Sequence, residues 1–256
     1  MNPEVFSAGV AVVVFVSGLI GLALQRALPD QHTTGPSRDM IGAIVGLLTL
    51  LCALVTGLLI WTAYGVYSGQ NAAIQTLASK ALQLDLALED YGPETKADRT
   101  NLITRIEKSI DEVWGSQISN STFEEDNFLA AAKFIRDPEK ALGHLSPTTD
   151  DQKQALARAN AAIQALEQSR LQMSFALSAP ISYPLLLIVV GWVVFLFCGF
   201  GLMSKGAPMP VVALAIGAVA VASAVLLILD LSNPYLGVIR ASPAPLEEAL
   251  AIMKKE

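Results

Sequence analysis

The residues of this chain whose types and spacing carry chemistry lie on one face of one apolar segment. Every seventh residue from Gly42 is small or weakly polar: Gly42, Thr49, Thr56, Ala63, Gln70. A companion row four residues on reads Gly46, Ala53, Ile60, Tyr67, while leucines cover most of the remaining surface. A small and hydroxyl-bearing stripe on a membrane helix has two physical uses. It lets helices approach closely, and Gly42 to Gly46 is the G-x-x-x-G spacing for that. It also lines a water-filled path, where hydroxyls and backbone meet ions without charged side chains. Both uses stay open. A second group lies at the exit of the last apolar segment: Asp230, Asn233 and Arg240. One carboxylate with an Asn is thin for calcium, which takes six or more oxygens, so structural pairing of Asp230 with Arg240 or Arg170 is expected.

Other chemistry is scarce. His32 and His144 stand alone without metal-ligand spacing, and Cys52 and Cys198 fall inside apolar segments, where packing explains them. The sequence holds no phosphate-binding glycine turn and no nucleophile–histidine–acid grouping, so neither an enzyme nor a metal or cofactor protein is expected.

The elements that position the stripe follow from composition. Of 256 residues 53% are hydrophobic and 16% charged, and mean hydropathy is +0.49, which places the chain among integral membrane proteins. Four stretches, about 5–28, 40–66, 184–203 and 208–230, reach the roughly 20 residues a membrane-spanning helix needs. Glu4 is the only charge before the first, so it lacks the basic start of a cleaved signal and reads as a retained helix.

Between the second and third spans lies a polar block whose signals are all helical. It holds eleven basic and sixteen acidic residues, five of the protein's six net negative charges, so nucleic acid is not an expected partner. The second span does not stop at the membrane. Gly65 and Gly69 interrupt it, yet Leu77 and Leu84 extend one seven-residue row and Ile74, Ala81 and Leu88 extend the other. Such a seam wants a partner helix, from the same subunit or from a neighbour. Gly92 and Pro93 mark the stop, and a second helix runs to about Trp114. Thr122 with Glu125, Asp137 with Pro138, and Thr149 with Gln152 mark further starts, the last helix reaching about Ser178. Glu124, Glu125 and Asp126 suit the positive end of their helix. The tail makes a short amphipathic helix with Leu246, Leu250 and Met253 on one face, placed on the polar block or at the headgroups.

The predicted organisation is therefore an all-α membrane protein: a first transmembrane pair (1–68), a cytosolic helical domain (69–179), a second pair (180–230) and a tail (231–256). Four spans put both termini and the polar block on one side. Lys80, Arg170, Arg240, Lys254 and Lys255 there, against Arg26, Arg38 and Lys205 opposite, favour the cytoplasmic face of a bacterial inner membrane.

Residues 38–94, "RDMIGAIVGLLTLLCALVTGLLIWTAYGVYSGQ…", and 229–250, "LDLSNPYLGVIRASPAPLEEAL", resemble a family of bacterial bestrophin-like membrane proteins. With the four-span layout, the resemblance covers most of the chain. It implies the order found in bestrophins, which are pentameric anion channels, and places the second span where their pore helix lies. It therefore implies a homo-oligomer in the lipid bilayer with inorganic anions as its permeant partners. The pore-lining candidates are then Gly42, Gly46, Thr49, Ala53, Thr56, Ile60, Ala63, Tyr67 and Gln70. Two departures stand out: the second span has no proline, and Asp230 stands where bestrophins carry a run of acids that clasp calcium. The other reading is a non-conducting, membrane-anchored helical scaffold or sensor that binds a protein partner through its polar block.

Overall fold

The computed structural model describes residues 3–27, 36–115, 142–177, 183–204, 209–235 and 238–255. Seven α-helices cover most of them: α1 (Pro3–Ala27), α2 (Pro36–Tyr91), α3 (Lys96–Trp114), α4 (Asp150–Leu177), α5 (Tyr183–Met203), α6 (Met209–Ser232) and α7 (Ala244–Met253). Four of them, α1, α2, α5 and α6, contain stretches long and apolar enough to cross a membrane. The helix starts expected at Thr122 and Asp137, the acids 124–126 and His32 lie outside the described residues. The chain divides into two compact units, one of Met1–Gly65 with Pro180–Asn233 and one of Val66–Ala179 with Pro234–Glu256.

In the first unit α1 packs along both α5 and α6. Glycine makes the α1–α5 approach possible: a Cβ at Gly21 would meet the carbonyl oxygen of Cys198, and one at Gly201 would meet that of Gly18. Gly18 also lies under Leu214 of α6, whose Cδ2 would sit 2.9 Å from an added Cβ. Close backbone contact is how helices associate in lipid, where hydrophobicity supplies little attraction between them. The serines of α1 satisfy themselves, Ser7 on the Glu4 carbonyl at 3.0 Å and Ser17 on that of Val14 at 2.7 Å. At the start of α2, Arg38 donates to the Met203 carbonyl at 3.4 Å, and Val45 Cγ2 would lie 2.6 Å from a Cβ on Gly199.

α2 carries the sequence's unstopped rod. Its 56 residues form one helix through Gly65 and Gly69. From Met40 to Ser79 it bears no charged residue. Trp61 and Tyr64 on this helix are 73% and 52% exposed.

The second unit closes the later part of the seam with helices of its own chain. Ala81, Leu84 and Leu88 of α2 are buried with Ile106 of α3, Ala159, Ile163 and Leu166 of α4, and Leu250 and Met253 of α7. The question of which subunit covers this part of the seam is answered within the chain. The same core receives the tail helix, and Lys254 at its C-cap pairs with Glu107 of α3. Gly92, at φ 127°, turns the chain out of α2 in a conformation other residues avoid, and Pro93–Thr95 forms a 3-10 turn. The Thr95 hydroxyl lies 2.5 Å from the Leu88 carbonyl and 2.8 Å from that of Gly92, and shares its one hydrogen between them. At the start of α4, Gln152 N–H donates to Thr149 Oγ1 at 3.2 Å and Thr149 N–H to Gln152 Oε1 at 3.4 Å, a reciprocal cap. The Gln152 amide also donates to the Tyr91 carbonyl at 3.3 Å, capping the last turn of α2.

Beneath this core Asp85 is fully buried, and Arg99 meets it with two parallel hydrogen bonds of 2.9 Å. Glu89 adds a longer contact to the same guanidinium at 3.4 Å. A planar fork on a carboxylate is the strong form of such a pair, and it fixes α3 against α2 in one register.

Candidate functional site

The stripe on α2 divides in the structure. Gly46, Thr49 and Ala53 are exposed in the single chain, and Gly42, Thr56, Ile60 and Tyr67 are partly so. Ala63 and Gln70 differ: they are 0% and 1% exposed, enclosed within the chain and not open along the row. The membrane part of α2 is also the least covered of the four spans. Only 17% of its most apolar window is buried within the chain, against 39% for α1. One edge of it, Val45, Cys52 and Leu59, faces inward; Leu47, Leu50, Leu54 and Leu58 face outward beside the small row. Leucines suit lipid, whereas Gly46 and Ala53 offer lipid little to pack on and leave room for another backbone. Thr49 Oγ1 donates to the Val45 carbonyl at 2.7 Å, so its hydrogen is used inside the helix and its lone pairs point outward.

Gln70 explains why the row closes. Its Oε1 accepts the phenolic hydrogen of Tyr235 at 3.0 Å, and its Nε2 donates to the Met173 carbonyl of α4 at 3.4 Å. Trp114 at the end of α3 packs edge-on against Tyr235, ring centroids 5.9 Å apart, and donates to the Ala241 carbonyl at 2.7 Å. Ala241 N–H in turn donates to the Pro234 carbonyl at 2.7 Å, closing the turn that presents Tyr235. Burial pushes the Tyr235 hydroxyl well above the usual phenol range, so it stays a donor. Sequence reasoning placed Gln70 in the stripe and passed over Tyr235, Trp114 and Met173. The available signal was that Gln70 sits on the row that becomes the leucine seam, and a polar side chain in a seam needs partners.

Asp230 lies in the last turn of α6, and Asn233 and Arg240 follow it. Asp230 is 5% exposed and Arg240 is exposed. Asn233 finishes α6, its N–H on the Asp230 carbonyl at 3.1 Å and its side-chain amide on that of Leu229 at 2.9 Å, while Ser232 Oγ bonds the Ile228 carbonyl. These bonds give Asn233 a capping role. Arg170 of α4 lies among protein atoms; burial and then the neighbouring Arg105 lower its pKa, and Glu167 opposes them. His144 approaches Asp98 at 3.2 Å on an exposed surface. Among the described residues no three His, Cys, Asp or Glu side chains converge as a metal would need.

Four apolar helices of spanning length, joined by glycine contacts, define an α-helical membrane protein of several spans. Its sequence matches the model of the Bestrophin-like domain over residues 10–246, and the chain belongs to that family. Comparison with curated proteins and with solved structures finds no match in either.

Proposed function

We propose that this bestrophin-like protein is a homo-oligomeric ion channel, a pentamer passing inorganic anions by analogy with bestrophins, in which the membrane halves of α2 surround the axis. The observation that carries the reading is the open row Gly46, Thr49, Ala53, with Thr56 and Ile60 partly open, on the span that its own chain covers least. Small residues admit neighbouring helices, and outward hydroxyl and backbone groups replace part of an ion's hydration. The lining ends before Ala63, because Ala63 and Gln70 are enclosed within the chain. The second unit and both termini are assigned to the cytoplasmic side of a bacterial inner membrane, as the excess of lysine and arginine near the span ends favours.

One observation favours a different reading. The exposed row Gly46, Thr49, Ala53 is small, as a helix face is when it packs directly against another helix without water between. The protein is then a non-conducting helical scaffold whose second unit engages a partner. Two measurements separate the readings: the number of subunits in lipid, and labelling of single cysteines along 42–60 by a membrane-impermeant thiol reagent in a background lacking Cys52 and Cys198. A channel labels at 46, 49, 53, 56 and 60 and stays protected at 47, 50, 54 and 58. A scaffold is protected at all nine.

A further inference from the structure

The second unit holds a groove of about 380 Å³ that the seam, the Gln70–Tyr235 joint and the Asp85–Arg99 pair leave unused. α2 supplies Lys80, Gln83, Leu86 and Ala87 to it, and α4 supplies Arg158, Ala161 and Ala162. The floor is apolar and fixed, since Ala87 and Ala162 belong to the hydrophobic core. Alanine on both helices keeps the floor low where larger residues would fill the space. Two cations and one amide stand over it, and no acid is among the described residues that line it, in a protein with a net charge of −6.

We propose that this groove binds a small organic anion with an apolar body, a carboxylate with a short alkyl or aryl chain. Its volume lies toward the lower end of ligand sites, which run roughly from 300 to 1,000 Å³. The chain lies on Leu86 and the alanines, and the carboxylate meets Lys80 and Arg158. The cations are available to exchange. Arg158 pairs with Asp90 at 2.9 Å, with both side chains more than half exposed, and Lys80 donates to Gln83 Oε1 at 3.0 Å. Exposed pairs of this kind contribute little and give way to a ligand that also buries apolar surface. The proposal does not depend on conduction.

The test uses full-length protein in lipid nanodiscs, titrated with hexanoate, hexanamide and acetate and followed by isothermal calorimetry. Hexanoate is expected to saturate a site. Hexanamide, which lacks the charge, and acetate, which lacks the body, bind at least about tenfold more weakly. K80Q/R158Q weakens hexanoate about tenfold or more, and Ala161→Phe, at an exposed floor position, abolishes its binding. Equal binding of hexanoate and hexanamide to the wild-type protein, no saturable hexanoate binding, or an unchanged titration in a folded K80Q/R158Q variant overturns the proposal. The comparison of ligands on the wild-type protein decides the matter even if a variant does not fold.

Discussion

Tyr235 donates its phenolic hydrogen to Gln70, 3.0 Å away, across a separation of 165 residues. That bond joins the turn after the last span to the long helix α2, and Gln70 passes the connection to α4 through the Met173 carbonyl. Trp114 brings in α3 by its ring contact with Tyr235. Two helices and a turn therefore meet at one buried amide, and α3 joins them through the ring of Tyr235.

Tyr235→Phe keeps the ring and leaves Gln70 Oε1 buried without its donor. A loss of about 1–3 kcal/mol is expected in unfolding of the purified protein. Gln70→Leu, which removes the amide along with its needs, costs less in the Tyr235→Phe background than in the wild type. Equal costs in both backgrounds contradict the coupling.

The same hydroxyl gives a pH signature. Its folded-state pKa is raised above the ordinary value of 10.0 by burial, so below pH 10 both folded and unfolded chains hold the proton. Above pH 10 the unfolded chain ionises first, and stability falls as pH rises. Tyr235→Phe, less stable at neutral pH, should lose less than the wild type between pH 10 and 12. Parallel stability curves over that window count against the assignment.

Asp85 and Arg99 form a pair in which only the carboxylate is fully buried; the guanidinium side chain is 18% exposed and has Glu89 as a second partner. Arg99→Met therefore strands a buried charge and costs about 3–5 kcal/mol. Asp85→Leu costs less, and the double variant is more stable than Arg99→Met alone. Thermal unfolding monitored by circular dichroism ranks the three.

Glycine contacts in the first unit predict a sharp positional contrast. Gly21→Val and Gly201→Val drive side chains into backbone carbonyls of the facing helix, so neither yields monodisperse protein on size exclusion. Gly9→Ala, with nothing within 4 Å of the added Cβ, behaves as wild type.

Much of the helical pattern is legible in the sequence because its signals are local. Gly92 with Pro93 and Thr149 with Gln152 announce their turn and cap by residue type alone, and the structure carries out both. The seam Ile74, Ala81, Leu88 is equally plain, yet spacing cannot say what covers it; α3, α4 and α7 of the same chain do, with Tyr235 and Ala241 also on Ile74. Gln70 shows the limit most clearly. A seven-residue row groups it with Thr49 and Thr56, but its environment is decided by Tyr235, far along the chain. Periodicity reports a shared face, not what lies opposite each residue on that face. Asp85 was obscured for the same reason, since its partner Arg99 lies beyond the Gly92 turn.

The most direct test of the central proposal is chloride efflux from liposomes holding the wild-type protein or Ala53→Glu, with subunit number measured for both. A channel lined by this row gives wild-type flux that falls at least about tenfold in Ala53→Glu at unchanged subunit number, because a fixed negative charge on the lining repels anions. Wild-type protein that passes no ion under any gradient, or Ala53→Glu that passes chloride as fast as wild type, contradicts it.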